Sequence, residues 1–136
     1  MINEFKGATK WLSNFEYVDI EYEGFIYPTT ENAYQASKTL SKRIKRVFTK
    51  ITPVEAQELG QNIHIREDWE DVKLKVMEDI TTLKFSVVPF KTKLRLTGNE
   101  ELIEGNHWGD TFWGVCDGKG ENHLGKILMK VRENTR

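Results

Sequence analysis

The chain has few of the residues that build disulfide frameworks and metal sites. It contains one cysteine, Cys116, and three histidines among 136 residues. A single cysteine excludes an intrachain disulfide. The histidines, His64, His107 and His123, stand far apart, and none has a metal-ligand spacing to the cysteine or to a second histidine. We therefore predict that the protein binds no metal.

A positive charge excess and long apolar runs are also absent. Lys and Arg number 20 against 21 Asp and Glu, so no overall positive field favours general binding to nucleic acid or to anionic membranes. No stretch approaches the roughly 18 consecutive apolar residues of a membrane-spanning helix. The start Met-Ile-Asn-Glu-Phe-Lys lacks the apolar run of a signal peptide. We expect a cytoplasmic protein without a membrane partner, in which any phosphate recognition is local.

Nucleotide-binding motifs are missing as well. Neither a Walker A motif nor a GxGxxG motif occurs, and we predict no cofactor. A nucleophile pair of Cys116 with His107 or His123 is conceivable, although a lone loop cysteine is more often incidental. The length, the 38% apolar content and the four Trp predict one domain, residues 1–136, with a single core.

The most informative stretch that is present is residues 27–38, YPTTENAYQASK. Thr29 or Thr30 can cap a helix whose first turn carries Glu31. The helix dipole there favours the charged carboxylate by about 0.3 to 1 kcal/mol. Periodicity offers an alternative, because Glu31 shares a helix face with Gln35 and Lys38, which is typical of a solvated acid.

The segments around this stretch have recognisable patterns. Residues 16–27 alternate apolar and acidic side chains around Glu23-Gly24, which predicts a β-hairpin. Residues 42–51 predict an amphipathic helix whose apolar face is Ile44, Val47, Phe48 and Ile51. Its basic face is either solvated or a local phosphate-binding patch. Thr52 to Glu55 form a capping box, and Gly60 is a candidate C-terminal cap. Trp11 to Phe15 should be extended or a turn, with its aromatics either in the core or at a site.

The longest predicted helix covers residues 68–87. One apolar stripe along it contains the following side chains: Trp69, Val72, Val76, Met77, Ile80, Leu83 and Val87. Lys73 falls inside this stripe, and we place Lys84 at its edge. The Lys73 ammonium either snorkels to solvent or lies in a partly dry pocket, where desolvation would lower its pKa and make it a better nucleophile.

The last third of the chain combines glycines, aromatics and an acid. Residues 90–97 predict a short helix, and residues 100–104 a brief extended piece. Residues 105–114 have the composition of a binding loop. The Gly118-Lys119-Gly120 segment is a turn or a phosphate-binding loop before a final amphipathic helix. The pattern predicts an α+β fold that is mostly helical, with a small antiparallel sheet.

Six separated blocks in this chain resemble the NADAR (YbiA-like) family. They are Trp11 to Phe15, YPTTENAYQASK (27–38), Trp69 with Lys73 and Met77, Thr97-Gly98, Asp110 to Gly114, and GENHLGKILMKVR (120–132). The resemblance implies a hydrolase of N-glycosidic bonds. Its substrates would carry a phosphorylated ribose on an aminopyrimidine of riboflavin synthesis, or ADP-ribose on guanine, either free or attached to nucleic acid.

The same resemblance assigns roles to single residues. Glu31 would stabilise charge or act as general acid and base, Lys73 would be a possible Schiff-base nucleophile, and Asp110 would orient water or ribose hydroxyls. The implied substrate-binding residues are Asn14, Phe15, Trp69, Trp113, Gly114 and Asn122. The pocket should form between the Glu31 helix, the Trp69 helix and the Trp113 loop.

The chain departs from the family pattern at two places. Asn32 stands where many relatives have His, and Val115-Cys116 follows Trp113-Gly114 where a glycine is common. Both departures bear on the substrate more than on the reaction class. The alternative to an enzyme is a non-catalytic module that binds the same ligand.

Overall fold

The computed structural model describes residues 1–136, which form two compact units. The central unit is Asn14–Lys84, and the terminal unit combines Met1–Ser13 with Phe85–Arg136. None of the helices has both the length and the apolar character needed to cross a bilayer. The prediction of one domain over residues 1–136 stays a prediction.

The central unit begins with an antiparallel hairpin. Strand β1, Tyr17–Tyr22, pairs with strand β2, Phe25–Thr29. Glu23 and Gly24 connect them with positive φ angles of 48° and 89°, as two-residue hairpin turns require. The predicted hairpin is confirmed, and it continues past Pro28 because both strands of a two-stranded sheet are edges that tolerate proline.

Four helices complete the central unit. They are α1, Thr30–Ala36; α2, Lys42–Phe48; α3, Pro53–Gly60; and α4, Trp69–Lys84. Helix α1 follows directly on β2 and contacts α2, α3, α4 and the hairpin. Because it is covered on all sides, every one of its seven residues is buried. A buried helix has no solvated face, so its periodicity says little about which side chains reach water.

The predictions for α2 and α3 are mostly confirmed. Thr52 and Glu55 form a complete capping box, with Thr52 N donating to Glu55 Oε1 at 2.9 Å and Glu55 N donating to Thr52 Oγ1 at 3.1 Å. Gly60 is the last helical residue rather than the cap. The predicted apolar face of α2 was wrong at Val47, which is exposed. Lys45 is buried instead, and its Nζ donates to the Ala36 carbonyl at 3.3 Å.

Helix α4 begins one residue later and ends three residues earlier than predicted. Trp69, Val76, Met77 and Ile80 are buried, as the stripe requires, whereas Leu83 and Val87 are exposed. The placement of Lys84 at the edge of the stripe was wrong, because its residue is only 1% exposed. Burial lowers the pKa of Lys84 to about 7, and the nearby Glu16 carboxylate opposes that change.

The terminal unit contains three helices and a small parallel pair of strands. A 3-10 helix spans Gly7–Leu12, α5 spans Phe90–Leu96, and α6 spans His123–Asn134. Strand β3, Gly105–Asn106, pairs in parallel with β4, Val115–Cys116. This pair could not be predicted from the sequence, because two-residue strands are too short to show the alternation of apolar and polar residues that marks a strand.

Other predictions for this region have mixed outcomes. Helix α5 confirms the expected helix over residues 90–97. Leu102 makes a parallel bridge with Ile2, in agreement with a brief extended piece at residues 100–104. Trp11 and Leu12 lie in the 3-10 helix, so the expectation of an extended segment or turn was wrong for them. The overall prediction of a mostly helical α+β fold with a small antiparallel sheet is confirmed.

Candidate functional site

The start of helix α1 is fixed by hydrogen bonds on both sides of Glu31. Thr29 is the N-cap, and its Oγ1 accepts from the Asn32 amide at 3.0 Å. The Glu31 amide donates to the Asn14 carbonyl at 3.1 Å, and Thr30 Oγ1 donates to Asn14 Oδ1 at 2.8 Å. The bonds from the Asn32 and Glu31 amides satisfy donors that a helix start leaves without partners. They place Glu31 in the first turn, where the helix dipole favours negative charge.

Glu31 is buried rather than solvated. Its residue is 7% exposed, so the alternative of a solvated first-turn acid was wrong. One turn further along α1, Gln35 Nε2 donates to Glu31 Oε2 at 2.7 Å. A hydrogen bond to a carboxylate favours its charged form. The helix therefore presents a buried acid that accepts a hydrogen bond from a neighbouring side-chain amide.

Lys38 is a cation in the same surroundings. Burial lowers its pKa, the positive charge of Lys73 lowers it further, and the Glu31 carboxylate opposes both effects. Its Nζ lies 5.7 Å from the centroid of the Tyr34 ring, within cation–π range. The Tyr34 ring in turn lies 5.2 Å from the Trp69 ring. An acid, two amines and two aromatic rings are thus grouped in the central unit.

Lys73 extends along the surface of α4 to an ion pair. Its side chain is 17% exposed, and Nζ lies 2.8 Å from Oε1 of Glu70, which is 78% exposed. The shielded stem and the pairing with an exposed carboxylate match the snorkelling arrangement. The amine for which burial disfavours the charged form is that of Lys38, whose pKa is lowered.

The remaining predicted residues of the central unit frame this group. Asn14 Nδ2 contacts Met77 Sδ at 3.7 Å, so the whole Asn14 side chain is engaged with α1 and α4. Phe15 follows in the same turn and is partly exposed, and Trp69 is buried at the start of α4. Asn14 and Trp69 therefore help to anchor the elements that carry Glu31 and Lys73.

In the terminal unit, Asp110 organises its own loop. Its Oδ1 accepts from the amides of Phe112 at 3.1 Å and Trp113 at 2.9 Å. The Asn106 side chain forms two hydrogen bonds with the backbone of Asp110. Its Oδ1 accepts from the Asp110 amide at 3.1 Å, and its Nδ2 donates to the Asp110 carbonyl at 2.8 Å. One carboxylate oxygen of Asp110 therefore stabilises the loop that carries Trp113.

Three rings cluster beside this loop. Phe112 lies 4.8 Å from Trp113 and 4.5 Å from His123, measured between ring centroids.

A Cβ on Gly114 would lie 1.8 Å from Glu104 Oε2 and 2.1 Å from the Glu104 carbonyl oxygen. Because the second atom is backbone, only glycine fits at this position.

The side chain of Asn122 is also committed within the terminal unit. Its Oδ1 accepts from the Glu104 amide at 3.0 Å, and its Nδ2 donates to the Leu102 carbonyl at 3.0 Å. These two bonds tie the start of α6 to residues 102–104. A contact from the Asn122 amide to substrate stays a prediction.

The predicted site residues thus fall into two groups. The central unit contains Asn14, Phe15, Glu31, Trp69 and Lys73, and the terminal unit contains Asp110, Trp113, Gly114 and Asn122. No group of three or more His, Cys, Asp or Glu side chains is placed to hold a metal ion.

Sequence reasoning missed the roles of Gln35 and Lys38. Their spacing of four and seven residues from Glu31 places all three on one helix face, for which a solvated face is the alternative that periodicity offers, and the sequence assigns no role to Gln35 or Lys38. The signal that could have found them is the composition of α1, whose opposite face is made of small and uncharged residues that suit close packing.

Comparison with known proteins gives consistent results along the whole chain. The NADAR domain family model matches residues 3–136. An N-glycosidase of Nostoc punctiforme is 37% identical over 91% of this chain and 84% of its own length. The N-glycosidase YbiA of Shigella flexneri is 33% identical over 89% of this chain and 78% of its own length.

Two further comparisons add a longer relative and a solved structure. A riboflavin biosynthesis protein of Vibrio vulnificus is 38% identical over 90% of this chain, which corresponds to 35% of that protein. The NMR structure of Escherichia coli YbiA superposes with a TM-score of 0.84 at 29% identity, covering 98% of this chain and 86% of that one. The predicted enzyme class, a hydrolase of N-glycosyl bonds, is confirmed by the N-glycosidase relatives, and the chain belongs to the NADAR domain family.

Proposed function

We propose that this protein hydrolyses the N-glycosidic bond between a phosphorylated ribose, or an ADP-ribose, and a base-like amine. The observation that carries the proposal is the buried Glu31 carboxylate, held in the first turn of α1 and oriented by Gln35. The N-glycosidase names of the relatives support the same bond type.

The proposed role of Glu31 is electrostatic. Breaking the bond from ribose to base builds positive, oxocarbenium-like charge at the anomeric carbon. A fixed carboxylate in a site with little water interacts more strongly with that charge than with the neutral ground state. Glu31 could also deliver a proton to the departing base or accept one from the attacking water.

An amine offers a second route. In the open-chain form, the substrate carries an imine between C1 of ribose and the base nitrogen. A neutral lysine amine adds to C1, the base leaves as its free amine after taking up a proton, and an imine between lysine and C1 remains. Water then hydrolyses this imine, which releases the ribose aldehyde and restores the lysine.

Lys73 is the lysine that the family resemblance assigns to this step, and Lys38 is the competitor that the structure adds. Burial lowers the pKa of Lys38, which favours its neutral amine. The Nζ of Lys73 lies 2.8 Å from Glu70 Oε1. Lys38 and Lys73 are therefore the two candidates for the lysine that forms an imine with C1 of ribose.

The proposed binding groups are aromatic and polar. Phe15, Trp69 and Trp113 would stack on the sugar or base, and Asp110 would orient water or the ribose hydroxyls. The polar contacts proposed for the substrate come from Asn14, Gly114 and Asn122. The side-chain amides of Asn14 and Asn122 already form hydrogen bonds within the protein, so binding substrate would require them to accept or donate an additional bond.

Two substrate classes follow from this proposal. One is an N-ribosylated aminopyrimidine phosphate from riboflavin synthesis, which the name of the Vibrio vulnificus relative supports. The other is ADP-ribose on a guanine, either free or attached to nucleic acid. The near balance of charges, 20 basic against 21 acidic residues, means that a nucleic-acid carrier would need a local contact surface.

The function is tested by incubating the protein with each substrate class and measuring the released base by chromatography and mass spectrometry. Release from either one supports the proposal, and Glu31→Gln should abolish most of it. Binding of both substrates without any release would reject the enzyme and leave a ligand-binding module as the function.

The covalent route has a separate test. Borohydride added during turnover reduces an imine to a stable amine, so the wild-type protein should gain the mass of the reduced ribosyl group. Peptide mapping locates the adduct, and Lys38→Arg and Lys73→Arg are the matched variants. An unlabelled wild-type protein that still releases base would favour direct hydrolysis.

A further inference from the structure

Gln35 connects the acid on α1 to the neighbouring helix α3. Its side chain reaches Glu31 at one end, where Nε2 donates to Oε2 at 2.7 Å. At the other end its Oε1 lies against Gly60, the last residue of α3. Gln35 and Gly60 are both buried, so neither end of the amide is open to solvent.

The contact with Gly60 exists only because this residue has no side chain. A Cβ at position 60 would lie 2.0 Å from Gln35 Oε1 and 2.8 Å from its Cδ. Both distances are below 3.0 Å, which real Cβ atoms essentially never show, so a methyl group there would displace the Gln35 amide. The φ of Gly60 does not lie in the left-handed region, so the reason for glycine is space and not backbone conformation.

No hydrogen bond within the protein holds the oxygen end of the Gln35 amide. Gln35 Oε1 is buried and accepts no hydrogen bond from the protein. The orientation is still defined, because a reversed amide would bring Oε1 against Glu31 Oε2, and two acceptor oxygens repel each other. The carboxylate therefore selects the orientation of the amide, and Gly60 provides the room for it.

We propose that Gln35 is a positioning residue for the Glu31 carboxylate and that Gly60 on α3 determines where the Gln35 amide can lie. This inference rests on the proposed function, in which Glu31 acts on the substrate. To stabilise the positive charge that develops at the anomeric carbon, the Glu31 carboxylate must point at that carbon within a narrow range of angles. A buried amide with one donor bond and one steric contact supplies that restraint.

Gly60→Ala is the sharpest test because it moves one flexible side chain and leaves the backbone in place. Alanine is a better helix former than glycine, and the atoms that must shift are at the end of the Gln35 side chain. We expect a folded protein in which kcat falls by about 10- to 100-fold, the range for losing a hydrogen bond to a charged group. KM should change by less than about threefold, since the bond orients the acid and does not hold the substrate.

A double-mutant cycle separates this effect from a general disturbance of α3. Gln35→Ala alone should lower kcat as Gly60→Ala does, and adding Gly60→Ala to Gln35→Ala should cause no further loss. Gln57→Ala, an exposed change in the same helix, is the matched control and should keep the wild-type kcat. Additive losses in the double variant, or wild-type kcat in Gly60→Ala, would overturn the inference while leaving the proposed function intact.

An NMR measurement tests the contact without relying on activity. The side-chain amide protons of Gln35, assigned by their disappearance in Gln35→Ala, should shift in Gly60→Ala and in Glu31→Gln but not in Gln57→Ala. If wild-type protein releases no base, the proposed function fails and these shifts still report whether Gly60 positions Gln35. Gln35 signals that are identical in wild type and Gly60→Ala would reject the link.

Discussion

The two units of this protein use their acidic side chains in different ways. In the central unit, Glu31 accepts from another side chain, Gln35, and neither group is exposed. In the terminal unit, Asp110 accepts from two amides of its own loop and is partly exposed. One acid is oriented by the packing of helices, and the other by the turn that it helps to form.

This difference separates two kinds of functional importance. Removing the Glu31 charge leaves the helix start intact, because Thr29 and Asn14 satisfy the amides there. Removing the Asp110 carboxylate deprives the amides of Phe112 and Trp113 of their acceptor. We therefore expect Glu31 variants to affect chemistry more than stability, and Asp110 variants to affect both.

The largest expected effect is that of Glu31→Gln. The substitution keeps the size of the side chain and an oxygen that can accept from Gln35, so the melting temperature should change little. The rate of base release should fall by about 100- to 1000-fold, as expected for a group that stabilises charge in the transition state. Glu58→Gln, an exposed acid on α3, is the control. Equal activity in both variants would contradict a chemical role for Glu31.

The comparison extends to two buried cations, Lys84 in the central unit and Arg132 in the terminal unit. Burial lowers the pKa of Lys84 to about 7 from a usual value of 10.5. Below pH 7 the folded state carries the full cost of a buried ammonium, and between these two values the unfolded chain binds a proton that the folded chain has released. Stability from this group therefore rises with pH over that window.

Lys84→Met tests this linkage. The stability of the wild type relative to the variant should increase by about 2 kcal/mol between pH 7 and pH 9, measured by urea unfolding at each pH. Arg132 donates to Thr97 Oγ1 at 2.9 Å and to the Glu100 carbonyl at 2.8 Å, and a guanidinium stays protonated throughout this range. Arg132→Met should therefore show no such pH dependence, and a flat difference for Lys84→Met would contradict a released proton.

Asp110 variants sharpen the comparison with Glu31. Asp110→Ala removes the acceptor for two loop amides and should destabilise the protein by about 1 to 2 kcal/mol, as loss of a helix cap does. Asp110→Asn keeps one acceptor oxygen and should lose less than half of that amount. Both are measured by urea unfolding and by base release. Full activity in Asp110→Asn would limit Asp110 to shaping the loop.

The smallest effect is expected at a purely structural cap. Thr52→Ala breaks the capping box of α3 and should cost about 1 kcal/mol of stability. Thermal unfolding measures this loss, and base release by the folded variant should stay within about twofold of wild type, because an exposed cap orients no reacting group. A larger loss of activity would mean that the start of α3 also affects its end, where Gly60 lies.

Local patterns in the sequence predicted the elements whose causes are local. The hairpin turn at Glu23-Gly24, the cap at Thr29 and the Thr52 capping box are each determined by a few neighbouring residues, and all are present. The same patterns predicted the wrong environment for Glu31, Lys84 and Val47. Periodicity reports which residues share a face, but not what covers that face.

The sequence by itself determined the family, the mostly helical fold and the position of an acid at a helix start, because these depend on motifs and on short-range hydrogen bonds. Tertiary structure alone decided that α1 is buried on every side. It also decided that Gln35 orients Glu31 beside Gly60, and that Lys84 rather than Lys73 is the fully buried amine. Burial is set by elements distant in sequence, and the energetic cost of a buried charge depends on the partners that those elements supply.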